Sequence, residues 1–301
     1  MNKILFISVT LVSLMLSSCI FSSSKKVDPQ TLRNTYPDYQ HISGKVKGTW
    51  TKDHNPHALV NITTLMPGDT LTIKEGVVLE GPYDLDVSAG SFLVVEGSDS
   101  LPVIFNAFRA LHSNMGGGLN ISGHAKMSHF IDQVGFLLSA AGSTPSLDID
   151  HATYIHGANE LRFLDSAGKP GVQQMHVSIR NSIFAVPITS LLNDGPVLLY
   201  TKDGLADTSL WSVENNCFYR EGMDSGTIDP GYSLSTKQGV FTAPTWPGNG
   251  NVAALPDFVS YTIAYKDTVL WHRSDSVLIT QVYDLHVKAG TPCAGMGAYA
   301  P

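Results

Sequence analysis

Residues 125–132 read AKMSHFID, 147–154 LDIDHATY, 177–184 VSIRNSIF and 211–218 WSVENNCF, and the four align without a gap. Each opens apolar–polar–apolar–polar, the two-residue period of a strand with one buried face. Histidine or asparagine follows (His129, His151, Asn181, Asn215), where the chain must turn. Asparagine suits such a corner because it tolerates left-handed backbone and its amide can bond to the next coil. Two positions past the corner stands a residue suited to burial: Ile131, Thr153, Ile183 or Cys217.

Successive units begin at Ala125, Leu147, Val177 and Trp211, spaced by 22, 30 and 34 residues. A coil of a parallel β-helix takes ~20 or more residues, and longer spacings imply loops bulging from the turns. One coil cannot bury its apolar side chains alone, whereas stacked coils bury a continuous column at ~4.8 Å per coil. The repeat therefore predicts an all-β solenoid, with Met127, Ile149, Ile179 and Val213 pointing inward. Cys217 is expected in an inward column with Thr153 and Ile183, and Trp211, aligned with Leu147 and Val177, in the core.

Composition agrees with this reading. Only 15% of the 301 residues are charged, with 27 glycines and 16 prolines, which suits an all-β chain better than a helical one. The formal charge of −7 argues against a nucleic-acid partner, which needs a basic face. No linker divides the chain after the amino-terminal region, so residues 36–301 are expected to form one elongated domain.

The first residues carry an address. Lys3 supplies a positive charge, and residues 4–16 are apolar apart from Ser8, Thr10 and Ser13, too short a run to span a bilayer comfortably. The run ends in Leu16, Ser17, Ser18 and Cys19, which resembles the lipobox of bacterial lipoproteins. That resemblance implies a cleaved signal peptide over residues 1–18, lipidation of Cys19 and a membrane anchor, with a serine- and lysine-containing tether over residues 19–35. The expected location is the bacterial cell envelope, at the outer membrane. No other run is apolar and long enough to cross a bilayer, so the remainder is expected to be soluble.

Both ends of the repeat region resemble a known family. Gly48-Thr-Trp-Thr51 and the phrase GDTLTIKEGVV at 68–78, followed by LVVEG at 93–97 and LPVIF at 101–105, resemble the opening coils of bacterial proteins of the pectin-lyase-like superfamily. Residues 250–259, 283–286 and 290–297 resemble the closing phrase of that family. The resemblance covers the chain from about residue 45 onward and implies a right-handed parallel β-helix. Leu255 stands where the family usually has Asp, and Cys293 where it usually has Ala; both replacements can be buried. An exported compartment permits a disulfide between Cys217 and Cys293. Both sit where a small buried side chain is expected, so free thiols are the favoured expectation.

This fold hosts lyases, hydrolases, esterases, adhesins and inert stalks, so function must be argued from sites. No Asp-Asp pair of the polygalacturonase type is present, nor the Arg/Lys signatures of pectate lyases. The alignment does assemble one charged patch. If Met127, Ile149 and Ile179 point inward, Lys126, Asp148 and Ser178 form one outward column and Ser128, Asp150 and Arg180 another. Asp148 and Asp150 then lie ~7 Å apart on one strand face. They are the candidate catalytic residues together with Arg180: the aspartates as a cation or uronate-neutralising site, Arg180 as base or electrostatic stabiliser. The alternative is a ladder of cross-strand ion pairs, each worth well under 1 kcal/mol, and it is the favoured one.

Other motifs are weaker. Asp84 and Asp86 share a strand face without an evident third ligand. His54 and His57, beside Asp53, are placed in the opening loop. No histidine pair has zincin spacing, so no metal is expected, and calcium only if the chain is a lyase. Trp246 and Trp271 lie in the long Pro- and Gly-rich excursion between Glu221 and Asp275 and are candidate sugar-stacking residues. The expectation is an envelope-anchored surface module that binds glycans or partners without cleaving them. The alternatives are a polysaccharide lyase or hydrolase acting on acidic glycans, and a structural spacer.

Overall fold

The computed structural model describes residues 40–80, 83–105, 118–132, 136–140, 145–155, 162–165, 176–186, 200–201, 210–220, 249–267 and 277–300. The fold is all-β. One three-residue 3-10 helix, Lys52–His54, interrupts the strands of the described residues. No helix among those residues is long and apolar enough to cross a membrane.

The strands of the large sheet pair in parallel along three ladders, while Phe258–Asp267 and Val277–Val287 form a separate antiparallel pair. The first ladder runs from Gly48–Trp50 through Thr70–Lys74, Phe92–Glu96, the start of His124–Asp132, the start of Ser146–Ile155 and His176–Arg180 to Trp211–Glu214. The second takes up the chain just past each corner, through Val78–Glu80, Val103–Phe105, the ends of the two long strands, Ile183–Val186, Cys217–Arg220 and Val252–Ala253. The third joins Leu85–Val87, Leu119–Ile121, Phe136–Ala140, Arg162–Asp165 and Tyr200–Thr201. Each coil thus contributes to each ladder in turn, an arrangement consistent with a β-solenoid. Successive repeats pair position for position, as the ungapped alignment requires: Met127 opposite Ile149, Ile149 opposite Ile179, and Ile179 opposite Val213.

The corner between the first two ladders is where the alignment placed it. His129, His151, Asn181 and Asn215 all have φ between 46° and 54°. One left-handed residue turns the chain, and a ring enters the core just past it: Phe130 one place after His129, but Tyr154, Phe184 and Phe218 three places after their corners. Phe130, Tyr154, Phe184 and Phe218 stand in that core beside Met127, Ile149 and Ile179. Tyr154 and Phe184 stack at 4.5 Å between centroids, and Phe184 and Phe218 at 5.4 Å. Stacking at the coil repeat lets each ring bury the face of its neighbour.

A polar ladder lies beside the rings. The Ser182 amide donates to Asn216 Oδ1 at 2.9 Å, and Asn216 Nδ2 donates to the carbonyl of Ile179 at 2.9 Å. The Asn216 amide in turn donates to Asn251 Oδ1 at 2.9 Å. Asn216 is fully buried, so every one of these bonds replaces water that the core excludes. Bonding between coils was expected of the corner asparagines, and Asn181 makes such a bond to Asp150, but the buried ladder belongs to the residue after each corner.

The position two places past the corner differs from expectation. Ile131, Thr153, Ile183 and Cys217 are buried, but not in the central core. Because Phe130 already points inward, strand alternation turns Ile131 to the opposite face. There Ile131 and Ile155 pack with Leu285 and Ala298, and Ile183 and Ala185 with Cys217 and Cys293. The carboxyl-terminal residues form a strap over the outside of the second ladder. The Gly297 amide donates to the carbonyl of Asn181 at 2.8 Å, and the Ala298 amide to Thr153 Oγ1 at 2.8 Å.

Cys217 and Cys293 are joined in a disulfide, with their Cα atoms 5.6 Å apart. The expectation of free thiols fails because residue 293 does not extend the stack; it crosses back over the coil that carries Cys217. Three smaller corrections follow. Leu255 is 56% exposed, not buried, while its neighbour Pro256 is buried. His57 lies within the strand His57–Leu65, not in a loop; it is buried and stacks on Trp50 at 5.3 Å. Trp211 is only partly buried at the edge of the core.

Candidate functional site

The outward face of the first ladder carries the charged patch. Side chains alternate along each strand, so Lys126 and Ser128, Asp148 and Asp150, and Ser178 and Arg180 all leave this face. Register puts Lys126 beside Asp148, and Asp150 beside Arg180. All three candidate catalytic residues, Asp148, Asp150 and Arg180, therefore meet.

Their contacts are mutual. Arg180 donates through one terminal nitrogen to Asp148 Oδ1 at 2.9 Å, and its Nε lies 3.3 Å from Asp150 Oδ2. The same terminal nitrogen donates to Ser178 Oγ at 3.0 Å. Asp150 Oδ1 also accepts from Asn181 Nδ2 at 2.9 Å and lies 2.9 Å from His151 Nδ1. The guanidinium thus bridges the two carboxylates through Nε and one terminal nitrogen. With the Arg180 side chain 40% exposed and that of Asp148 36% exposed, solvent screening holds each pair to about 1 kcal/mol or less.

His151 and His129 extend the patch. Their rings stack at 4.8 Å with 7° between planes, and His129 Nδ1 lies 3.1 Å from the carbonyl of Ala298. Burial lowers the pKa of His151; Asp150 pulls upward by charge and hydrogen bond, while His129 and Arg180 pull downward. The ring is therefore neutral at neutral pH, and its contact with Asp150 is an N–H donated to a carboxylate, not a full ion pair. Through this stack the patch is connected to the strap.

The same face carries a feature the alignment did not single out. Phe92, 48% exposed, stacks on His124 at 4.9 Å with 19° between planes. His124 Nδ1 lies 2.8 Å from Ser146 Oγ, which fixes the imidazole. The signal was present in the register, since Phe92, His124 and Ser146 occupy one position in three successive coils.

The remaining candidates fall elsewhere. Asp84 accepts from the Gly118 amide at 2.7 Å and Asp86 from Asn120 Nδ2 at 2.7 Å, so both carboxylates serve the next coil. Among the described residues, no group of three or more His, Cys, Asp or Glu is arranged to hold a metal ion. Cys19, Trp246 and Trp271 lie outside the described residues.

No family model, curated protein or solved structure matches this chain. The functional reading therefore rests on the geometry of the patch alone.

Proposed function

We propose that the chain is a right-handed parallel β-helix of the pectin-lyase-like kind, anchored in the bacterial envelope through Cys19, that binds glycans at the outward face of its first ladder without cleaving them. The observation that carries this reading is Arg180 joined to both Asp148 and Asp150. Acid–base cleavage needs a carboxylate or base free to exchange a proton with substrate. Here both carboxylates are engaged by one guanidinium, which leaves the trio a single net negative charge. What remains is a flat array of polar groups repeating at the coil spacing, beside an exposed aromatic ring, a surface suited to sugar hydroxyls and C–H faces.

A glycan array probed with the purified full-length protein tests the binding claim, and an ultraviolet assay for unsaturated sugar products tests the absence of cleavage. Binding without product is expected. Product formed from polygalacturonate, alginate or a glycosaminoglycan, with or without calcium, and lost in Arg180→Ala, would establish the lyase alternative. Neither binding nor product would leave the spacer. For the anchor, labelled palmitate should enter the wild-type chain in a bacterial host and not Cys19→Ala.

A further inference from the structure

We propose that Phe92, His124 and Lys126 form a subsite for an acidic saccharide, a deepening that rests on the glycan-binding reading above. Lys126 leaves the same strand face as His124, two residues along, and is exposed. Its register neighbours are Val94 on one side and Asp148 on the other. Val94 offers no charge, and Asp148 is engaged by Arg180 at 2.9 Å. Two coils back, Lys74 is paired with Glu96 of the intervening strand. Lys126 is thus the one cation on this stretch of the face without an acidic partner among the described residues.

Each element of the subsite recognises a different part of one ligand. The exposed Phe92 ring, held against His124, offers an apolar surface to the C–H face of a pyranose. His124 is oriented by Ser146 through Nδ1, which leaves Nε2 to meet a hydroxyl. The Lys126 ammonium then meets a carboxylate or sulfate carried by the same or the adjoining sugar. An ammonium beside an aromatic surface, whose register neighbour Asp148 is held by Arg180, favours an anionic sugar over a neutral one. The two rings are already stacked, so they lose little freedom on binding, whereas the Lys126 side chain is ordered by the ligand.

Calorimetric titration of the full-length protein with polygalacturonate oligosaccharides, heparin oligosaccharides and neutral galactan oligosaccharides tests this. The acidic probes should bind more tightly than galactan, and their affinity should fall with salt. Whether polygalacturonate or heparin binds more tightly distinguishes a carboxylate from a sulfate ligand. Lys126→Gln should weaken the acidic probes by about tenfold, erase the preference over galactan and flatten the salt dependence, and Lys126→Arg should restore it. Phe92→Ala should weaken acidic binding by about tenfold at any salt concentration. Both side chains are exposed, so the melting temperature of each variant should match the wild type. Wild-type affinity for acidic probes in either Lys126→Gln or Phe92→Ala overturns this subsite and leaves the glycan reading standing. Failure of every probe to bind the wild-type protein overturns both.

Discussion

The Ala298 amide donates to Thr153 Oγ1 at 2.8 Å across 145 residues of sequence. Thr153 sits on the outside of the second ladder, and Ala298 on the strap that covers it. Without the strap, Ile131, Ile155 and Ile183 would be an apolar stripe facing water.

Loss of the disulfide should loosen that cover. Cys217 and Cys293 close a loop of 76 residues, so Cys293→Ser should cost about 2–5 kcal/mol. Hydrogen exchange should accelerate at Gly297 and Ala298 far more than at Met127 or Ile149. Equal acceleration at both would mean that the strap and the stack unfold as one.

Gly297 packs tightly against the stack. A Cβ there would lie 2.7 Å from Thr153 Oγ1 and 2.8 Å from Ile183 Cδ1, with φ at +89°. Gly297→Ala should therefore destabilise the protein by about 2–4 kcal/mol, read as a drop in the denaturant midpoint. Gly290→Ala, where a Cβ would meet nothing within 4 Å, should cost less, its strain coming from φ alone.

The buried polar ladder makes Asn216 irreplaceable by a small apolar residue. Asn216→Ala would strand the Ser182 amide and the Ile179 carbonyl inside the core, at a cost of about 3 kcal/mol. Asn215→Gly, one residue earlier at the exposed left-handed corner, should change stability by less than about 0.5 kcal/mol. Urea titrations of the two variants separate the roles of adjacent asparagines.

Acid should weaken the fold through two histidines. Burial lowers the pKa of His57, against a hydrogen bond to the Thr51 carbonyl, and burial likewise lowers that of His151. Each ring binds a proton more readily once unfolded, so the stability present above the ordinary value of 6.5 is lost as pH falls below it. His151→Asn keeps a residue that accepts the left-handed corner and removes one titrating ring. Its stability should decline less steeply from neutral pH toward pH ~5 than that of the wild type; an unchanged slope would exclude His151 as a contributor.

The repeat of 125–132, 147–154, 177–184 and 211–218 was enough to determine strand register, the corner residues and the inward column of Met127, Ile149, Ile179 and Val213, but not the side to which Ile131, Thr153, Ile183 and Cys217 turn. The reason is local: a two-residue period and a left-handed corner repeat identically in every coil, and stacking simply superimposes them. The meeting of Asp148, Asp150 and Arg180 was legible for the same reason, as neighbours one coil apart. Only the tertiary structure decided which way Arg180 turned its fork, since its neighbours offered both carboxylates at coil spacing. It also decided what covers Ile131, Thr153 and Ile183, and that Cys217 meets Cys293. Those contacts join residues far apart in sequence, and no periodic pattern encodes where a returning strap comes to rest.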